Sequence, residues 1–168
     1  EIQLMNMPAR ESRLKQALDP IRNNYDFIII DCPPSLSLLT LNALAAADGI
    51  IVPMQCEYFA LEGLSSLINT INALKQKLNP ALEIDGIIRT MYDVRNNLAN
   101  AVSNELTQHF GDTVFRTLVP RNVRLAEAPS HGMSILRYDR SSRGALAYMG
   151  LAGEMIRRNN KTKNKESV

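Results

Sequence analysis

The chain has 168 residues, 45% hydrophobic and 21% charged, the composition of one soluble globular domain with enough apolar side chains for a sizeable core. Collagen-like, disordered and disulfide-stapled classes are excluded, and no apolar run approaches the roughly 20 residues of a membrane-spanning helix. The net charge of +2 hides an asymmetry: residues 1–115 hold 8 basic and 13 acidic side chains, whereas residues 116–168 hold 11 and 4. A C-terminal third so basic suits an anionic partner, nucleic acid or an acidic membrane surface, with a solvated helix face as the alternative. Cys32 and Cys56 have no zinc or redox spacing and read as free thiols of a reducing cytoplasm. The opening Glu-Ile-Gln-Leu carries neither an initiating Met nor a signal peptide and reads as a cut.

In chain order, Arg10 to Ile21 is expected to be a helix with Leu14, Leu18 and Ile21 on one side. Tyr25 to Asp31 follows as a strand whose unbroken run Phe27-Ile28-Ile29-Ile30 suits a parallel sheet covered on both faces. Ser35 to Ala47 has helix length and composition, with Pro33-Pro34 stopping the preceding strand, and Gly49 to Met54 is the next strand. The pattern repeats with a helix at Ala60 to Leu78 and a strand at Ile84 to Met91. It repeats again with a helix at Asn97 to Phe110 and a strand at Thr113 to Leu118, closed by Pro120. A Ser-capped helix at Ser141 to Arg158 comes last, and the polar residues 159–168 read as a disordered basic tail. Strands alternating with helices make this an α/β fold with a mostly parallel sheet flanked by helices, spanning residues 1–158 as part of one domain.

In such sheets ligands bind beyond the carboxyl ends of the strands. There, Ile28-Ile29-Ile30-Asp31-Cys32-Pro33-Pro34-Ser35 delivers one carboxylate to the sheet edge, the form of a Walker B segment. A carboxylate so placed can orient the water shell of a Mg²⁺ ion on nucleotide phosphates; the residues alone leave open that Asp31 merely caps the next helix. His109 and His131 lack the partners that catalysis or metal binding would need.

The segment Tyr25 to Leu36 resembles the Walker B region of the ParA/Soj chromosome and plasmid partition ATPases. The resemblance continues through Asn42-Ala43-Leu44, Pro53 to Leu64, Thr90-Met91-Tyr92-Asp93 with Arg95, and Val119 to Gly132. It ends in Tyr138-Asp139 and Ser142-Arg143-Gly144-Ala145. It implies a P-loop NTPase fold of the deviant Walker A, ParA/MinD-like type, with ATP and Mg²⁺ as cofactors and Asp31 as the catalytic, water-mediated magnesium residue. It further implies base contacts from Met91, Pro120, Arg121 and Asn122, although Met91 also reads as core and Pro120 as a strand stop. Gln55 and Glu57 are expected at the same edge, against nucleotide, a switch region or another subunit.

The partners implied are a second copy in an ATP-dependent homodimer, non-specific DNA through Arg143, Arg116 and Arg124, and a ParB/Spo0J-like activator protein. The expected location is the cytoplasm, on the nucleoid and not the membrane. None of the eight glycines is followed by lysine, so the glycine- and lysine-bearing phosphate loop of the family cannot be drawn. The chain accordingly resembles the C-terminal portion of such an ATPase and is expected to be inactive alone. A MinD-like regulator is the nearest alternative, but the polar lysine-rich end argues against membrane insertion. An amidotransferase-type synthetase and a non-catalytic DNA-binding fragment are the others.

Overall fold

The computed structural model describes residues 1–33 and 35–166, with side chains described through Asn160. Eight α-helices and three strands are present among them: α1 (Ile2–Met5), α2 (Arg13–Leu18), α3 (Leu38–Ala46), β1 (Gly49–Gln55), α4 (Ala60–Lys77) and β2 (Glu83–Tyr92), then α5 (Asn97–Phe110), β3 (Val114–Pro120), α6 (Val123–Glu127), α7 (Ile135–Tyr138) and α8 (Arg143–Glu166). The strands form one sheet in the order β1-β2-β3, and β2 pairs with β3 in parallel, as the α/β pattern predicted. The chain divides into two compact units, residues 1–50 with 65–85 and residues 51–64 with 86–168.

In the first unit, Asn42 is the fixed point. Its buried amide accepts from Leu14 N (3.1 Å) and donates to Arg10 O (2.7 Å) and Leu38 O (2.9 Å), tying α2 to α3. Asn79 closes the other end of α3 by donating to Leu44 O and Ala47 O. The predicted strand at Tyr25 to Asp31 is not one: the segment joins no ladder, and Ile29 is 82% exposed. An apolar run becomes a buried strand only when a neighbour accepts its hydrogen bonds, and none of the strands of this sheet pairs with it. The predicted helix at Arg10 to Ile21 shrinks to α2, because Asp19-Pro20 interrupts it.

The second unit carries the sheet's continuous core, Ile88, Phe115, Val119 and Leu151, with Ile51, Leu125 and Met155 packed against it. Gly86 lets β2 approach Phe115 closely, since a Cβ there would lie 2.0 Å from the ring. At the sheet margin, Glu154 of α8 reaches β3. Its carboxylate accepts from Arg116 N (2.9 Å), Thr117 N (2.9 Å), Thr117 Oγ1 (2.8 Å) and Arg158 Nη2 (2.9 Å). Arg158 also donates to Val114 O (2.9 Å) and lies 4.1 Å over the Phe115 ring. The helix runs on past Arg158 to Glu166, where no apolar periodicity predicted it; lysine and glutamate are good helix formers once a nucleus exists. Ser167 and Val168 of the predicted tail lie outside the described residues.

Burial alone would push the Glu154 carboxyl up, but the hydrogen bonds from Arg116 N, Thr117 and Arg158 together bring it down to about 2. A carboxyl lowered in the fold stabilises above its unfolded pKa, and that contribution is lost as pH falls from about 4.5 towards 2. Glu154→Gln is therefore expected to cost about 2 kcal/mol at pH 7 in chemical denaturation. The gap to the unmodified chain should narrow through that acid window, and a gap independent of pH would contradict the role.

Candidate functional site

The carboxyl ends of β2 and β3 meet at an irregular register, in which Arg89 pairs with Leu118 and Tyr92 with Pro120. Between the paired residues Met91 takes φ +53°, a left-handed conformation that costs a non-glycine residue of order 1–3 kcal/mol. Its side chain stands 49% exposed, so it is not core. Arg121 N donates to Tyr92 O (3.2 Å), which joins the Pro120–Asn122 turn to the end of β2. The structure thus brings together Met91, Pro120, Arg121 and Asn122, the residues assigned to the base.

The loop that follows is pinned twice. Tyr92 donates its hydroxyl to Asn100 Oδ1 (2.6 Å), and Asn100 Nδ2 donates to Val94 O (2.9 Å). Asn96 caps α5 by accepting from Leu98 N and Ala99 N. Hydrogen bonds from the Arg95 guanidinium and backbone hold the Asp93 carboxyl at about 2, with Arg121 adding charge.

Beyond β3 the motif from Val119 to Ala145 folds as a compact corner, with two short helices, α6 and α7, ahead of the predicted final one. Asn122 Oδ1 accepts from Leu125 N and caps α6. Ala128, Ile135 and Ala145 are buried together. Gly144 permits Leu125 to pack where a Cβ would lie 2.5 Å from its Cγ. Asp139 accepts from Ser141 N, Ser141 Oγ and Ser142 N, while Ser142 Oγ accepts from Ala145 N, so the cap of α8 is Ser142. His131 stacks on Tyr138, whose hydroxyl donates to Glu127.

The three arginines assigned to DNA differ. Arg124 is engaged by Glu127 (2.8 Å) and Asp139 (3.6 Å), and its hydrogen bond to Glu127 holds that carboxyl below its ordinary value. Arg116 on β3 and Arg143 at the start of α8 are exposed. Asp31 is exposed in the first unit, and Gln55 at the end of β1 and Glu57 just after it are exposed in the second. Among the described residues no three His, Cys, Asp or Glu side chains gather to cage a metal. A lone carboxylate fits magnesium, which keeps most of its waters and is held chiefly through phosphates.

An AAA-domain family profile matches residues 1–84. The sporulation initiation inhibitor protein Soj of Bacillus subtilis is 54% identical over 155 residues, 92% of this chain and 61% of Soj. The chromosome partitioning protein ParA of Myxococcus xanthus is 54% identical over 158 residues, 94% of this chain and 56% of ParA. The chain thus spans about 60% of the length of these relatives. A solved structure of cobyrinic acid a,c-diamide synthase from Mycobacterium smegmatis, with bound ATP analog and magnesium, aligns with a TM-score of 0.75. It is 34% identical and covers 95% of this chain and 58% of that one. The chain belongs to the AAA-domain family, and it is similar to the Soj and ParA proteins over more than nine-tenths of its own length.

Proposed function

We propose that this chain is the base-binding and DNA-binding part of a partition ATPase, one that dimerises on ATP, binds DNA without sequence preference and is reset by an activator protein. The observation that carries this reading is the cluster of Met91 with Pro120–Asn122 at the strand ends, in a chain 54% identical to Soj. Met91 offers a thioether to one face of a flat base, and the Pro120–Asn122 turn offers main-chain groups to its edge. Asp31 is the residue to hold the hydrated magnesium of a nucleotide, and Arg143 and Arg116 are free to meet DNA phosphates. Bound magnesium nucleotide supplies the phosphoanhydride whose hydrolysis times release.

ATP-driven amidation of a carboxylate, the second reading, is favoured by the synthase neighbour, but the Soj and ParA relatives share more identity with this chain. Two experiments bear on the proposal. With no glycine followed by lysine, the 168-residue chain is expected to release no phosphate from magnesium ATP. Turnover that Asp31→Ala abolishes would contradict this. The chain is also expected to bind duplex DNA of any sequence, with affinity falling steeply as salt rises. Arg143→Ala and Arg116→Ala should each reduce the slope of log affinity against log salt by about 0.9, whereas Arg124→Ala, already neutralised by Glu127 and Asp139, should barely move it. Absence of DNA binding would favour the synthetase reading.

A further inference from the structure

In the second unit the guanidinium of Arg89, on β2, is directed at hydroxyl and main-chain oxygens. Its Nη1 donates to Ser103 Oγ of α5 (2.8 Å), and its Nη2 donates to Phe115 O (2.7 Å) and Arg116 O (3.4 Å) of β3. Among the described residues no carboxylate pairs with it, and its buried Nε has no hydrogen-bond partner. A partly buried charge so arranged destabilises the strand pair relative to an apolar side chain of similar length, so packing alone does not explain it. What Arg89 holds is a bulge. The pairing advances two positions along β2, from Ile87 to Arg89, but four along β3, from Val114 to Leu118. Extra residues of this kind bend a strand and re-aim its side chains. At the centre of the bulge Arg116 is held from both sides: its N–H donates to Glu154 of α8 (2.9 Å), and its carbonyl accepts from Arg89. Phe115 is thereby buried in the core, whereas the Arg116 side chain is exposed and in no ion pair among the described residues.

We propose that Arg89 is a positioning residue for DNA binding: by holding the carbonyls of the β3 bulge it fixes the Arg116 backbone so that the Arg116 guanidinium projects to a phosphate of the duplex. Arg89 touches no DNA itself. A long cationic side chain loses rotamer freedom when it grips a phosphate, and a root fixed in advance reduces what has to be ordered on binding. Without the Arg89 fork the two carbonyls lose their donor, the bulge relaxes towards regular pairing, and Arg116 turns with it. Arg143, at the start of α8, makes no bond to the bulge and keeps its place. The inference rests on reading Arg116 as a DNA contact.

The test measures the affinity of the 168-residue chain for duplex DNA across a salt series. Arg89→Met is expected to reduce the slope of log affinity against log salt by about 0.9, as Arg116→Ala does, and the double variant is expected to lose no more than either alone. If Arg89 instead met a phosphate directly, the double variant would lose about 1.8, and the positioning role would be overturned. Arg89→Lys keeps the charge and removes the fork. It is expected to lower the slope as Arg89→Met does, and it decides alone should circular dichroism show Arg89→Met unfolded. A purely structural role would lower the melting temperature and leave the slope untouched, so an unchanged slope in a folded Arg89 variant overturns the inference while leaving Arg116 as a contact. No DNA binding by the unmodified chain, or no change of slope with Arg116→Ala, overturns the reading of Arg116 and the positioning role with it.

Discussion

The second unit depends on one buried carboxylate. Glu154, only 7% exposed, accepts from two consecutive backbone amides of β3, from the Thr117 hydroxyl and from Arg158. The strand order leaves β3 at an edge of the sheet, where unpaired amides would otherwise invite another chain. By satisfying them from α8, Glu154 fixes the helix to the strand, and the shared core of Ile88, Phe115, Val119 and Leu151 fills in around that register. Arg158 completes the arrangement by neutralising the carboxylate and covering the Phe115 face, so neither charge is left buried without a partner.

From that anchor the edge at the carboxyl ends of β2 and β3 follows by short links. β3 in its register carries Pro120 opposite Tyr92, and Arg121 N closes the contact. The corner beyond it is held by Asn122, Asp139, Ser142 and Gly144, residues that the family resemblance singled out and that here do structural work at the start of α8. Arg143 is exposed because Ser142 and Gly144 on either side commit the helix start to that corner. Arg124, by contrast, spends its charge on Glu127 and Asp139, which separates it from Arg116 and Arg143 although the three look alike in sequence.

Much of this was legible in the residues. The elements α4, β1, β2 and α5 fall within a residue or two of where periodicity, Pro80 and the glycines placed them. Met91, Pro120, Arg121 and Asn122 were singled out by the resemblance, and they lie at the ends of β2 and β3. What failed was the strand at Tyr25 to Asp31: apolar continuity reports a wish to be buried, whereas a strand also needs a hydrogen-bonding neighbour, which is a long-range fact. The helices α6 and α7 were missed because they are short and lack a full amphipathic turn. Glu154 reads as an ordinary helical acid, yet it lies one turn from buried Leu151 on the same face, and a carboxylate on an apolar face was the available signal. Neither Tyr92 nor Asn100 announced its pairing, since the bond between them exists only once β2 ends and α5 begins where they do.

The most direct measurement of the central claim, an adenine site at the carboxyl edge of β2 and β3, is photolabelling of the chain with 2-azido-adenosine monophosphate followed by peptide mapping. The account requires adducts on the tryptic peptides Thr90 to Arg95 or Thr117 to Arg121, or on Asn122. Adducts confined to residues away from those strand ends, and competed by adenosine monophosphate, would contradict it.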